Sequence, residues 1–415
     1  MRKKFDSGGV FIFIIIVVLS KIFFQLIGLS NAFLNDNTIV FFLIFGLLLL
    51  STTHPTTKIE PIFLSIALLV IVTMIFSVGY QGSSTGSFMD LVKLMVSYGT
   101  VFVVLIVASF GLYGIFNKSN AFIKVFMYFI FIQATLVIIQ HVKKNPIFDI
   151  VNSEGNVITG PIVYFSGGST RNLDLLTQVG YSLRGFGMMN SGLSAGLILL
   201  LAIAILWNQK TNIYWKIMAT FFLGTAVTFT ITRIVWVTAF IVLIGYVITV
   251  IVNSYKPILI FSKVMIISNG IFIIIFNGLE EFSTNNPTLQ TLISRLDGFR
   301  FFLQEFPIKW SNFLQGQNFA ARRLDLATLY NPDNEILFNL LSIGVIGTVA
   351  ITATYFLIIN KILFRNPSND DFVLAKTFLI LGYSVVGFGN FSSFNFFGFL
   401  LIISLISQVK ERSLT

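Results

Sequence analysis

Long apolar runs recur along the whole of this 415-residue chain, and they constrain its fold more than any other feature. A run of about 20 apolar residues is long enough to span a lipid bilayer as a helix. Charged residues make up only 11% of the chain, against roughly 25% in soluble domains. Too little polar surface therefore exists to cover a water-soluble core of this size. The runs are continuous rather than alternating, so the sequence predicts an all-α polytopic membrane protein.

About twelve runs are long enough, or nearly long enough, to span. They cover residues 10–29, 38–52, 61–79, 92–113, 121–141, 187–207, 213–231, 233–252, 257–278, 334–360, 372–389 and 391–408. An even number of transmembrane helices places both termini on one side. Most lysines fall on that side, whereas the short loops on the other side carry neither Lys nor Arg, so the positive-inside rule places both termini in the cytoplasm. We therefore expect one integral-membrane domain, residues 1–415.

Several classes of function are excluded by what the sequence lacks. The net charge of +10 would suggest nucleic-acid binding in a soluble protein, but here it comes mostly from lysines beside cytoplasmic helix ends. There is no Cys, which excludes disulfides, thiol catalysis and zinc–thiolate sites. No phosphate-binding GxxxxGK[ST] and no dinucleotide-binding GxGxxG after a strand occurs. We expect no metal, no cofactor and no nucleic-acid partner.

Two long loops, approximately 142–186 and 279–333, lie between the runs on the side away from the termini. They are too short for independent domains and too long for simple connectors, so we interpret them as lids or binding elements. The second loop contains an apolar stripe with helical spacing, which predicts a helix that packs on the bundle or lies along the membrane. The stripe consists of Leu289, Leu292, Leu296, Phe299 and Leu303.

The arginines are distributed against the positive-inside bias. Seven of the ten fall on the side opposite the termini, namely Arg171, Arg184, Arg233, Arg295, Arg300, Arg322 and Arg323. The guanidinium group binds phosphate and carboxylate through two parallel hydrogen bonds, which Lys cannot do. The distribution therefore predicts an anion-binding site outside the cell, with a phosphate as its ligand.

Arg233 and Arg184 are the strongest single candidates. Arg233 ends the segment 228–233, Thr-Phe-Thr-Ile-Thr-Arg, between two apolar runs, and an Arg near membrane depth is costly unless it has a functional partner. The alternative is that Arg233 extends to the outer headgroups. The neighbouring threonines offer further hydrogen bonds to an anion. Arg184 lies beside Gly185 and Gly187, and these glycines would let the backbone approach a bound ligand closely. The alternative is that Arg184 is a loop residue that contacts lipid phosphate.

The second loop holds the other candidates. Arg295 and Arg300 lie on related faces of its predicted helix, with a solvated polar face as the alternative. Asp333, after Pro332, suits the N-cap of the next helix, and it could equally serve as a general base beside the arginines. Glu335 is a second candidate catalytic carboxylate. Gly344 and Gly347 have a GxxG spacing, which predicts close helix packing.

The order of these motifs resembles the superfamily of O-antigen polymerases (Wzy-type) and O-antigen ligases. The resemblance spans roughly residues 180 to 350. It begins with Arg-Gly-x-Gly at 184–187 and Thr-x-Thr-x-Thr-Arg at 228–233. A large late loop follows, in which an Arg-bearing helix precedes the small-residue break Leu-Gln-Gly-Gln at 314–317. The last two motifs are Asp-Asn-Glu-x-Leu at 333–337 and Gly-x-x-Gly at 344–347.

The resemblance implies a bacterial inner-membrane enzyme that polymerises oligosaccharides carried on undecaprenyl diphosphate. Arg184, Arg233 and Arg300, with Arg295 as second choice, would hold the diphosphate. Asp333 and Glu335 are the candidate catalytic carboxylates. Ligases of the superfamily show a His where this chain has Asp333, which favours a polymerase over a ligase. Membrane lipids, a chain-length regulator and a flippase are implied partners. A flippase or other transporter remains the non-enzyme alternative, although transporters place charges near the bilayer midplane.

Overall fold

Helices dominate the part of the chain that the computed structural model describes. That part comprises residues 60–79, 88–109, 119–144, 163–165, 168–170, 182–189, 192–208, 211–276, 310–320, 334–362, 372–388, 367, 394 and 397–398. Within it, four helices are long and apolar enough to cross a membrane, or up to five if a bent pair counts as one span. These helices indicate a membrane protein. The expected total of twelve remains a prediction, because the runs 10–29 and 38–52 and most of 391–408 lie outside the described residues.

The helix bounds follow the apolar runs closely. The described helices are α1 (Pro61–Gly79), α2 (Phe88–Ser97), α3 (Gly99–Ser109), α4 (Ser119–Lys143), α5 (Gly192–Asn208), α6 (Ile213–Phe229), α7 (Arg233–Val252), α8 (Lys256–Phe276), α9 (Trp310–Phe313), α10 (Glu335–Ile362) and α11 (Val373–Gly387). The predictions 61–79 and 233–252 are confirmed to the residue. The run 92–113 was interpreted as one span, whereas the chain bends at Tyr98 between α2 and α3.

A small antiparallel sheet lies within the first long loop, where the sequence predicted no strand. Its strands β1 (Val163–Phe165), β2 (Gly168–Thr170) and β3 (Ser182–Leu183) pair in the order β2-β1-β3. Val163 is paired with Thr170 on one side and with Leu183 on the other. Strands of two or three residues are too short to show the period-2 pattern by which strands are recognised.

Contacts between helix termini show that the helices alternate in direction. The ring of His141, at the end of α4, stacks on Phe229, at the end of α6, with 4.2 Å between centroids. Gly192, at the start of α5, lies beside Thr230, just before α7. Asn269, late in α8, is hydrogen-bonded to Asn334, just before α10. These residues define one end of the bundle, which we call the arginine end because Arg184 and Arg233 lie there.

The opposite end of the bundle carries lysines, and we call it the lysine end. Lys216 is in the first turn of α6, Lys256 is the first residue of α8, and Lys376 is in the first turn of α11. The sorting is incomplete, since Lys143 and Lys144 end α4 at the arginine end. Apart from these two, Lys216, Lys256 and Lys376 lie at the end of the bundle opposite Arg184 and Arg233, as the sequence predicted for most lysines.

Large apolar side chains cover the outside of the bundle as well as its interior. Phe76 of α1, Phe221 of α6 and Phe240 of α7 are 59%, 78% and 66% exposed. Soluble monomers rarely expose contiguous apolar surface on this scale. Several polar side chains, including Gln133, Gln140 and Thr249, are instead fully buried. This arrangement suits helices that face hydrocarbon, where buried polar groups must find partners within the protein.

Helix α10 is interrupted at Gly344, which has φ 70° and ψ −174°. The interruption frees backbone groups, and the segment 314–318 binds them. Gln317 N donates to Leu341 O at 2.8 Å, Asn318 N donates to Ser342 O at 3.1 Å, and Ile346 N donates to Leu314 O at 3.4 Å. We call this arrangement the α10 break. Gly344 does permit close packing, as the GxxG spacing predicts, but its partner is the backbone of residues 314–315, which a side chain at this position would overlap.

Candidate functional site

The turn between α6 and α7 combines a strained backbone with a cation. Residues 230–232 connect the two helices, and Ile231 has a φ of 47°, which is unfavourable for a β-branched residue. Arg233 follows as the exposed first residue of α7. The N-cap residue Thr232 makes no side-chain capping hydrogen bond. Backbone strain of this kind persists only where the surrounding structure enforces it, and it is common at functional sites.

Arg184 is positioned against the same turn. It follows β3 and begins an irregular segment, residues 184–189, which we call the 184–189 segment. Gly185 N donates to Phe229 O at 2.9 Å, which attaches the segment to the end of α6. The aliphatic stem of Arg184 packs against Gly192. If Gly192 carried a Cβ atom, that atom would lie 2.6 Å from Arg184 Cγ and 2.8 Å from Thr230 O. The structure thus brings Arg184 to the turn that leads into Arg233.

Two buried glutamines of α4 hold the 184–189 segment in place. Gln140 Oε1 accepts from Phe186 N at 3.0 Å and from Gly187 N at 2.7 Å, while its Nε2 donates to Gly187 O at 3.0 Å. Gln133 Nε2 donates to Phe186 O at 2.8 Å, and its Oε1 accepts from Met188 N at 2.7 Å. The two amide side chains therefore form the hydrogen bonds that the backbone N–H and C=O groups of this irregular segment would form with neighbours in a helix or strand.

The glycines beside Arg184 have a different role from the one expected. A Cβ at Gly185 would lie 2.7 Å from Val137 O, and a Cβ at Gly187 would overlap the Gln133 side chain. Gly187 also has a φ of 60°. These glycines permit close approach to α4, rather than to a ligand. They contribute to the site indirectly, by letting the segment that carries Arg184 pack tightly.

The threonines of the 228–233 motif do not supply donors to an anion, which corrects that expectation. Thr228 Oγ1 donates to Gly224 O at 3.0 Å, Thr230 Oγ1 to Val227 O at 2.7 Å, and Thr232 Oγ1 to Thr230 O at 2.9 Å. Each hydroxyl proton is therefore used within the helix end or the turn. The motif shapes the turn and leaves the guanidinium groups as the charged donors.

A buried polar cluster lies at the start of α10, at the same end of the bundle. Glu335 is 4% exposed, and Asn339 Nδ2 donates to its Oε1 at 3.3 Å. Tyr98, at the bend between α2 and α3, donates its hydroxyl to Asn339 Oδ1 at 2.9 Å. Asn334 Nδ2 donates to Asn269 Oδ1 at 2.7 Å. The candidate carboxylate Glu335 is therefore held in a chain of hydrogen bonds that links α10 to the bend between α2 and α3, and the Asn269–Asn334 pair links α10 to α8.

The N-cap of α10 is Asn334, not Asp333. Asn334 Oδ1 accepts from Leu337 N at 3.1 Å, and the helix begins at Glu335. The capping prediction was wrong by one residue, because Asp and Asn are equally good caps and the sequence places them side by side. Asp333 itself lies outside the described residues, as do Arg295 and Arg300, so their predicted roles stay predictions.

The arrangement around Arg184 and Arg233 can bind an anion. The N-terminus of a helix carries a partial positive charge and free backbone N–H groups, and α7 is 20 residues long. Arg233 begins α7 and the stem of Arg184 packs beside Thr230 in the preceding turn, and two guanidinium groups suit a phosphate better than one. In the described part of the chain, no group of three His, Asp or Glu side chains could hold a metal ion.

Two residues that support the site, Gln133 and Gln140, were not among the candidates predicted from the sequence. Gln133 and Gln140 are seven residues apart in an otherwise apolar run, so they share a helix face, and that spacing was the available signal. Among known proteins, no family model, no curated protein and no solved structure matches the chain.

Proposed function

We propose that this protein is a membrane glycosyltransferase that polymerises undecaprenyl-diphosphate-linked oligosaccharide repeat units. It would act at the outer face of the bacterial cytoplasmic membrane and make an O-antigen, a capsule or an exopolysaccharide. The chain would cross the membrane about twelve times with both termini in the cytoplasm. A chain-length regulator and a flippase would be its protein partners.

The observation that carries this proposal is the convergence of Arg184 and Arg233 on the turn before α7. Arg184 packs on Gly192 beside Thr230 O, three residues before Arg233. A lipid diphosphate bears several negative charges, and it gains further charge as it departs from the sugar. Fixed cations and a helix N-terminus stabilise such developing charge without reorganising at the moment of reaction. In the proposal, Arg295 and Arg300 complete the clamp from the second loop.

The chemistry requires a donor, an acceptor and a base. The acceptor hydroxyl oxygen forms a bond to the anomeric carbon of the donor, and the bond from that carbon to the diphosphate oxygen breaks. Asp333 takes the hydroxyl proton, and Glu335, which Asn339 holds in place, supports the acceptor side of the site. Undecaprenyl diphosphate leaves with the electron pair of the broken bond. Its departure drives the reaction, so no nucleotide is consumed.

The test is reconstitution of the purified protein in liposomes with lipid-linked single repeat units, followed by gel analysis of the glycans. We expect a ladder of multiples. Arg233→Ala should lower the rate by about 100-fold or more, since removal of one preorganised hydrogen-bond donor to a developing negative charge costs this much in other enzymes. Lys216→Ala is the matched control, because it removes one positive charge at the lysine end of the bundle.

The outcomes are distinct. A ladder that Arg233→Ala abolishes and Lys216→Ala preserves supports the proposal and the clamp. Equal loss in both variants would mean that net charge, not the position of Arg233, matters. Product that appears only when a separate glycan acceptor is added would identify a ligase instead.

The α10 break favours a second candidate, a flippase or other transporter of lipid-linked oligosaccharides. Discontinuous helices with buried irregular backbone are common at transport sites. The interruption at Gly344 is nine residues into α10, and Gln317 and Asn318 bind its free carbonyls. The same liposomes discriminate the two functions, because a transporter moves labelled substrate to the far leaflet without lengthening it.

A further inference from the structure

An apolar groove lies between α8 and α10, and one of the residues that line it, Lys263, is positively charged. The groove has a volume of about 530 Å³. Its lining includes Lys263 and Gly270 from α8, and Ile336, Val349 and Phe356 from α10. It follows α10 from Ile336 to Asn360, and the part from Val345 to Asn360 alone is about 22 Å long at 1.5 Å per residue. One leaflet contributes about 15 Å of hydrocarbon, so the groove is long enough for a lipid chain.

Lys263 favours a negatively charged group at this groove. Its side chain is half-buried two turns into α8, and its Nζ lies 5.6 Å from the centre of the Phe356 ring. Within the described residues no carboxylate forms an ion pair with it. An ammonium group at this depth is costly unless an anion or the membrane interface compensates it. Lys256 precedes it by seven residues on the same face of α8, toward the lysine end.

The position of Lys263 also distinguishes between lipids. Helix α8 begins at the lysine end, so Lys263 is nearer that end than the arginine end, where Arg184 and Arg233 lie. A lipid diphosphate held by those arginines would have its headgroup in the opposite leaflet. A headgroup beside Lys263 therefore belongs to a bilayer lipid of the leaflet at the lysine end.

We propose that the groove between α8 and α10 binds one anionic phospholipid, with its phosphate beside Lys263 and Lys256 and an acyl chain along Val349 and Phe356 toward Ile336. This site is separate from the diphosphate site of the proposed function, and it does not depend on that function. The ammonium groups neutralise the phosphate, and the apolar walls replace the hydrocarbon that would otherwise surround the chain.

The test is lipid titration of the purified, delipidated full chain, followed by native mass spectrometry. Phosphatidylglycerol and phosphatidylcholine with identical acyl chains are the probes. We expect one phosphatidylglycerol to bind about tenfold more tightly than phosphatidylcholine, since the charge-assisted contact is made only with a net-anionic lipid. Lys263→Gln should remove this preference, whereas Lys263→Arg should keep it. Lys216→Gln, at the same end but outside the groove, should also keep it.

Filling the groove provides an independent variant. A Cβ at Gly270 would meet only Ile336 Cγ2, at an ordinary 3.8 Å, so Gly270→Leu extends into the groove without a backbone clash. It should abolish binding of both lipids, and Ala353→Leu on the α10 wall should weaken binding in the same way. Thermal unfolding of each variant confirms folding.

Four results would overturn the proposal. One is a wild-type protein that binds both lipids equally. The second is a Lys263→Gln variant that retains its preference, and the third is a folded Gly270→Leu variant that retains its lipid. The fourth is displacement of phosphatidylglycerol by undecaprenyl diphosphate at equal concentration, which would assign the groove to the glycosyl donor. None of these results depends on glycan synthesis.

Discussion

At the scale of residues, Gln133 and Gln140 determine the shape of the segment that presents Arg184. Together they make five hydrogen bonds to the backbone of residues 186–188. Both side chains are fully buried in a helix that is otherwise largely apolar. A buried amide is costly without partners, so its presence in such a helix is explained by the backbone groups that it satisfies.

Gln140→Leu tests this role. The substitution leaves two N–H groups and one carbonyl of the 184–189 segment without their partner, at about 1–3 kcal/mol for each buried group. We expect a lower thermal unfolding temperature in detergent. Thr135→Val on the same helix is the control, since the exposed Thr135 hydroxyl bonds only to Phe131 O within its own helix. Equal unfolding temperatures for the two variants would contradict the role of Gln140.

The sequence predicted part of the residue-scale picture. Arg184 and Arg233 were identified separately, from charge and depth, and the structure brings them to one turn. The anion role of the threonines could not be assessed from sequence, since their hydroxyls serve either a ligand or the backbone of the preceding turn. The position of the N-cap was ambiguous for a similar reason, because Asp333 and Asn334 have the same capping ability.

At the scale of elements, the α10 break is the feature that the sequence concealed. The run 334–360 is continuous in hydropathy, so it predicted one uninterrupted span. The groups that compensate the interruption come from residues 314–318 and from Ser77 of α1, whose hydroxyl donates to Ser342 O at 2.5 Å. Such partners are tertiary and leave no local pattern. A glycine within a helix is compatible with packing and with a break alike.

Gly344→Ala should be strongly destabilising. The backbone conformation at φ 70° and ψ −174° is accessible almost only to glycine and costs about 1–3 kcal/mol for other residues. The added methyl group would also overlap Leu314 and Gln315. Thermal unfolding measures the effect. Gly224→Ala in α6 is the matched control, because a Cβ there meets nothing within 4 Å and should be neutral or stabilising. A Gly344→Ala variant as stable as the Gly224→Ala variant would show that the break can close.

At the scale of the whole molecule, the two ends of the bundle differ in charged groups. The described arginines are at one end, and Lys216, Lys256 and Lys376 are at the other. The alternation of helix direction could be predicted from the apolar runs and short loops, and it is confirmed for α4 to α8. Which helices adjoin could not be predicted, because apolar faces of similar composition can pair in many ways. The small sheet was also beyond sequence patterns.

The sidedness of these ends can be tested by labelling, since the natural chain has no Cys and therefore no background. Lys144→Cys lies at the arginine end and Thr211→Cys at the lysine end, and both positions are exposed. We expect a membrane-impermeant maleimide to label Lys144→Cys on intact spheroplasts and Thr211→Cys only after permeabilisation. The reverse pattern would place the lysine end outside the cell. Labelling of both positions in intact cells would contradict the prediction that the two ends lie on opposite sides of the membrane.

The α10 break also bears on the order in which the protein is made. Among the described residues, the groups from outside α10 that bind its interrupted backbone precede it in the chain, since Ser77 and residues 314–318 are synthesised before Glu335. When α10 leaves the ribosome, its partners already exist, and its interrupted backbone can bind them as it enters the bilayer. A truncated chain that ends after Ile362 would hold every partner identified for the break, whereas α10 expressed alone would present two bare carbonyls to lipid.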